Sequence, residues 1–222
     1  LAHLWNVWLW KYSLRESQLN VTTSEAYQAW SVSRLARYIP GKIFSYIARA
    51  RLHNQRTTTG LVSASILEAL SAVAATAYIG LASVLAFSSL FPPNTRRPIL
   101  LFCSATIMGI YLIPRIATSK KFNKFKFLRD SFGDVTVKTI LRLSILQTPL
   151  MILHGTAFFL ILAAQTNVGL EYYIYILMSY YLAGLLGQIA LFSPAGLGVK
   201  EAGLIFLLAP VIPNNEAALF YS

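Results

Sequence analysis

The chain has 222 residues, of which 56% are hydrophobic and only 12% charged, and its mean hydropathy is +0.56. Soluble domains carry about 25% charged residues, so a water-soluble globule is excluded and an all-α, polytopic integral membrane helix bundle is expected. The net charge of +11 raises nucleic acid as a partner, but 6 of the 19 Lys and Arg lie between Arg34 and Arg56 and 7 between Lys120 and Arg142. Basic loops between apolar spans are what the positive-inside rule produces, and they attract anionic headgroups; no nucleic-acid partner is expected.

Leu1 to Trp10 is apolar, with Trp5, Trp8 and Trp10 close together. Tryptophan gathers at the membrane–water boundary, so this reads as the end of a helix, followed by a polar link through Lys11, Arg15 and Glu16. Thr23-Ser24 then predicts the cap of a helix from about Glu25 to Tyr38. That helix is too polar to span lipid and is expected at the interface or inside the bundle. A first proline–glycine–lysine break follows, Arg37-Tyr38-Ile39-Pro40-Gly41-Lys42. The apolar run Ile43 to Ala48 is far shorter than the ~20 residues of a crossing, and Arg49, Arg51 and Arg56 come after it. A short re-entrant segment is the expectation.

Gly60 to Phe91 is a long span with Glu68 near its start, broken at Pro92-Pro93-Asn94, with Arg96 and Arg97 in a brief loop. Pro98 to Ala117 is the next span, and Ser119 to Lys138 a strongly basic loop. Thr139 to Gln165, containing Pro149 and His154, crosses again, and Tyr172 to Phe192 once more. Four spans thus separate the first break from the second, which places both breaks and the basic loop on the cytoplasmic side; Arg96 and Arg97 are the exception. Both ends resemble cuts through a longer protein, so the expectation is a single transmembrane domain, 1–222, truncated at each end.

The second break is Ser193-Pro194-Ala195-Gly196-Leu197-Gly198-Val199-Lys200-Glu201. Proline removes a backbone donor and glycine frees the chain, so this run reads as a loop feeding a second re-entrant helix. The first amides of that helix favour an anion, and Lys200 adds a full charge. The alternative is an ordinary turn whose Lys200 and Glu201 are solvated. Paired interruptions of this kind mark the binding sites of transporters built from repeats.

Glu68 is the one acid deep in a span, and intramembrane acids are costly unless paired or functional. Its candidate partners are Arg37, Lys42, Arg49 and Lys200; the alternative is a carboxylate snorkelling to the interface. His154 reads as a neutral, hydrogen-bonded side chain, Cys103 as a packing residue, and Tyr180-Tyr181 as an aromatic belt or helix packing. There is no P-loop, HExxH, GxSxG or Cys/His metal grouping, so no catalytic residue, metal or cofactor is expected.

The two breaks with Arg49 and Glu68 resemble the lysylphosphatidylglycerol synthetase/flippase transmembrane region, over about Thr22 to Val211. Members often carry Arg before the Glu of the second motif where this chain has Lys200, which keeps the charge but loses the two-pronged phosphate geometry. The resemblance implies a flippase of the inner membrane, moving a phospholipid such as aminoacylated phosphatidylglycerol or a lipid-linked precursor. It implies a headgroup site from Arg37, Pro40, Gly41, Lys42, Arg49, Glu68, Pro194, Gly196, Gly198, Lys200 and Glu201. The alternatives are an integral lipid-modifying transferase with Glu68 or His154 as base, and a non-catalytic membrane partner of a synthase or glycosyltransferase. Such a soluble enzyme and a second copy of the chain are the protein partners considered. The family's usual span count exceeds the one seen here, as a truncated chain requires.

Overall fold

In a computed structural model the described residues are 2–36, 58–86, 88–91, 93–119, 126–133, 135–190 and 196–212, and among them there are eight α-helices and no strand. They are α1 (Ala2–Glu16), α2 (Thr23–Ala36), α3 (Thr58–Ala86), α4 (Pro93–Ala117), α5 (Lys126–Gly133), α6 (Val137–Gln165), α7 (Tyr173–Ile189) and α8 (Val199–Leu208), with short 3₁₀ turns at Ser88–Leu90 and Leu170–Tyr172. The protein is an all-α membrane helix bundle. Three helices, α3, α4 and α6, are long and apolar enough to cross a bilayer. The fourth expected span forms the 17-residue α7, about 25 Å long at 1.5 Å per residue. The apolar run Ile43 to Ala48 and the first break lie outside the described residues.

The chain divides into two compact units, one from Leu1–Ala75 and Thr106–Leu150, the other from Thr76–Ala105 and Met151–Ser222. In the first, α1 runs straight through the expected polar link to Glu16. Its end explains why: the Gln18 amide donates to the Arg15 carbonyl and the Leu19 amide to that of Leu14, with Gln18 at φ 61°. This is the paired closure of a helix C-terminus, with a left-handed residue just past the last turn. It folds Leu19 back beside Leu14, and both are buried in a cluster with Val7, Trp10, Trp30 and Leu61. Charged residues on the outer turns of α1 therefore do not end the helix.

The α2 cap is Thr22, one residue before the expected Thr23-Ser24. Its hydroxyl accepts the Glu25 amide at 3.2 Å, and the Glu25 carboxylate accepts the Thr22 amide at 2.7 Å. Reciprocal bonds across Thr-x-x-Glu satisfy two otherwise orphaned donors, which Ser24 cannot match without an acid three residues on. His3 meets Ser31 and Tyr27 while Lys11 reaches Thr23, so α1 and α2 are antiparallel.

The same unit ties α3 to α6 with small polar side chains. Ser144 Oγ donates to the Ser71 carbonyl at 3.0 Å, Gln147 Nε2 donates to Ser71 Oγ at 2.5 Å, and Ser63 Oγ donates to the Ser131 carbonyl at 2.6 Å. Hydroxyl and amide contacts of this type join helices where lipid offers no hydrophobic drive. Ser131 belongs to α5, a helix within what reads in sequence as a plain basic loop. In α6, Trp5 Nε1 donates to the Leu146 carbonyl at 2.9 Å, one turn before Pro149, where the proline weakens the helix's own ladder.

In the second unit, α4 begins at Pro93, so Arg96 and Arg97 lie in its opening turns rather than in a loop. Proline suits the first helical position, where its missing N–H has no partner to lose. Arg96 Nε reaches back to the Phe91 carbonyl at 2.7 Å. Cys103 is buried against Gly80, where an added Cβ would lie 2.7 Å from Cys103 Sγ and from the Met178 methyl. Phe159, Leu162, Ile176, Leu208 and Ile212 form this unit's apolar cluster.

Candidate functional site

The second break builds a tight antiparallel hairpin between α7 and α8. Tyr175 Oη donates to the Leu207 carbonyl at 2.6 Å, and Gly187 faces Lys200 and Gly196 at the other end. Gly196 has φ +79°, and a Cβ there would sit 2.6 Å from the Gly187 carbonyl oxygen. Two constraints, a left-handed backbone and backbone-to-backbone contact, therefore require glycine. Further along, a Cβ on Gly203 would lie 3.4 Å from Ala183 Cα. Small residues at a helix interface let backbones approach closely in lipid.

Gly198, at φ +81°, precedes the first turn of α8, and its amide donates to Glu201 Oε2 at 2.7 Å. This is half of a capping box: the glycine has no side chain to return the bond. One orphaned donor of the α8 N-terminus is thus met by the chain's own carboxylate. Next to it, Lys200 Nζ lies 4.3 Å from the centre of the Tyr180 ring. A cation over a ring face gains about 0.5–1 kcal/mol at exposed sites and more when desolvated. Tyr180 lies tilted against Phe158 and edge-on to Tyr181, and Tyr181 Oη donates to the Met151 carbonyl at 2.9 Å. The end of the hairpin sets the Lys200 ammonium and the Glu201 carboxylate side by side, with the ammonium resting on an aromatic wall.

Of the expected headgroup residues, Gly196, Gly198, Lys200 and Glu201 gather at this turn. Glu68 stands half-buried on α3 in the other unit, one turn from Ser71, whose hydroxyl donates to the Glu68 carbonyl at 2.9 Å. Arg37, Pro40, Gly41, Lys42, Arg49 and Pro194 lie outside the described residues. His154 is exposed on α6. Tyr180, expected in an aromatic belt or in helix packing, packs against Phe158 of α6, and its role as the seat of Lys200 is not signalled by the sequence. No periodic signal links residues twenty apart across a turn.

The family profile described as the lysylphosphatidylglycerol synthase TM region matches residues 1–221. The chain belongs to that family. Its membership and its apolar helices make it a membrane-embedded, multi-pass protein with a membrane-lipid-related role. No curated protein and no solved structure matches the chain.

Proposed function

We propose that this member of the lysylphosphatidylglycerol synthase TM region family is a lipid translocase of the inner membrane, working as one transmembrane domain over 1–222. It carries a phospholipid headgroup between leaflets while the acyl tails stay in lipid. The observation that supports this reading best is the α7–α8 turn. It is an interrupted segment of an apolar chain whose two left-handed glycines, Gly196 and Gly198, present Lys200 and a helix N-terminus together. Half-helix ends and a cation in an apolar setting are suited to an anionic group. α8 has only ten residues, about 15 Å at 1.5 Å per residue. That is half of the ~30 Å hydrocarbon core, as a re-entrant element requires. Glu68, with Arg37, Pro40, Gly41, Lys42 and Arg49 of the first break and Pro194 of the second, completes the proposed set of headgroup residues.

The test is headgroup accessibility in liposomes holding the purified protein and a labelled aminoacylated or plain phosphatidylglycerol. Leaflet exchange is expected to exceed that of protein-free liposomes, and Lys200→Ala to slow it. Exchange at the protein-free rate overturns the reading.

A further inference from the structure

The α1–α2 hairpin, unlike α7–α8, is not closed along its length. A cavity of about 480 Å³ opens between the two helices and the corner that joins them, within the size range of small-molecule sites. Along α1, Leu4, Trp8, Lys11 and Arg15 follow one another at helical spacing and so share one stripe, and all four line the cavity. The neighbouring stripe, Val7, Trp10 and Leu14, is buried, and Val7 closes the cavity's inner edge. The cavity is therefore graded. Leu4, Trp8 and Tyr27, which are 60, 44 and 46% exposed, form its apolar part. Lys11, Arg15 and Asn20 form its polar part. From Leu4 to Arg15 is about 16 Å along the helix at 1.5 Å per residue.

The charge in the polar part has one sign. Among the described residues no acid lines the cavity. The Glu25 carboxylate is bound to the amide and hydroxyl of Thr22. Glu16 accepts from Thr139 of α6 at 3.3 Å. Among the described residues Lys11 Nζ donates to Thr23 Oγ1 at 2.8 Å, and an ammonium has three donors. Tyr12, also in the lining, accepts from Arg142 at 3.2 Å, which leaves its own hydroxyl proton free to donate and sets a third cation nearby.

We propose that this cleft binds one anionic phospholipid, with its phosphate between Lys11 and Arg15 and an acyl chain lying over Trp8 and Leu4 toward Tyr27. A free phosphate would use only the cationic part and leave the exposed aromatic and aliphatic wall bare. In a membrane-embedded chain, Trp and Tyr at such a boundary and Lys and Arg just beyond it match the layering of a lipid from tail to headgroup. The site is built from residues other than those of the α7–α8 turn, and its occupancy does not require lipid to move between leaflets.

The test uses the whole chain in nanodiscs of phosphatidylcholine, doped with phosphatidylglycerol or phosphatidylcholine carrying a nitroxide on the acyl chain. Subtracting the quenching of a Trp8→Phe variant isolates Trp8 from the other three tryptophans. Two cations near a headgroup predict half-quenching by labelled phosphatidylglycerol at a mole fraction on the order of tenfold below that of labelled phosphatidylcholine. Lys11→Gln with Arg15→Gln is expected to erase that preference, and Lys11→Arg with Arg15→Lys to keep it. Millimolar glycerophosphate in the buffer is expected to leave it unchanged. Equal half-quenching by the two lipids overturns the proposal, as does a preference that survives the double Gln variant or displacement by glycerophosphate. Should the double variant fail to fold, the exposed Arg15→Gln replaces it. A roughly fivefold loss of preference is then the expected result, and no loss is the overturning one.

Discussion

Two of the helical hairpins, α1–α2 and α7–α8, solve the same problem in opposite ways. Both are antiparallel and both carry cations, yet α7 and α8 are pressed together at Gly187, Gly196 and Gly203, while α1 and α2 part to leave a cavity. Their corners differ in kind as well. The α7–α8 turn places glycine at both left-handed positions, Gly196 and Gly198, whereas the α1 corner places Gln18 at φ 61°. A glycine chosen for torsion alone can be replaced at modest cost. One chosen because another backbone lies against it cannot. Close approach, more than the sign of φ, separates the hairpin with no room from the one with a cleft.

Substitutions can break that comparison, and the largest effect is expected at Gly196. Gly196→Ala adds a Cβ 2.6 Å from the Gly187 carbonyl on a residue at φ +79°. Left-handed strain alone costs about 1–2 kcal/mol, and overpacking about 1–3 kcal/mol more. Thermal unfolding in detergent should show a loss of about 3 kcal/mol, or no folded protein. Gly198→Ala, at φ +81° and ψ −46° with open space around its Cβ, should lose only the torsional part, about 2 kcal/mol. Equal losses at the two glycines would dissolve the distinction between them.

On the other hairpin the effects are smaller. Thr22→Ala removes the hydroxyl that accepts the Glu25 amide and should destabilise by about 1 kcal/mol. Amide exchange should rise in the first turn of α2 and nowhere in α8. Gln18→Gly should be the one stabilising change, by up to about 1 kcal/mol, because the strain it relieves exceeds the entropy that glycine adds to the unfolded chain. A melting temperature lowered by Gln18→Gly would mean that the Gln18 side chain holds the corner.

Much of this was legible in the residues. The apolar runs gave α6 and the start of α3 to within two residues, because a helix in lipid needs an uninterrupted apolar stretch, but α3 ends at Ala86 and not at Phe91. The glycines of the second break marked the α7–α8 turn, because only glycine takes positive φ freely. What was misread has a common cause. Lys11, Arg15 and Glu16 read as a link, and Arg96 and Arg97 as a loop, only if charge marks the end of a helix, whereas α1 runs to Glu16 and α4 starts at Pro93. A charged residue on an outer face is compatible with a helix when its polar end reaches the boundary. Thr22 was recoverable, as Thr22-x-x-Glu25 is the one spacing in that stretch that closes a reciprocal cap. The seating of Lys200 on Tyr180 was not recoverable, because contact across a turn between unrelated helical phases leaves no trace in spacing.

The span lengths carry a last consequence. α3 and α6 each contain 29 residues, and at 1.5 Å per residue each measures about 43 Å. An upright rod of that size overshoots a hydrocarbon slab of ~30 Å by more than two helical turns. These rods must lean, protrude, or thicken the lipid around them, and each choice has a modest energetic cost that depends on acyl length. Stability measured across a series of phosphatidylcholines from short to long chains should therefore have its optimum toward the thicker bilayers.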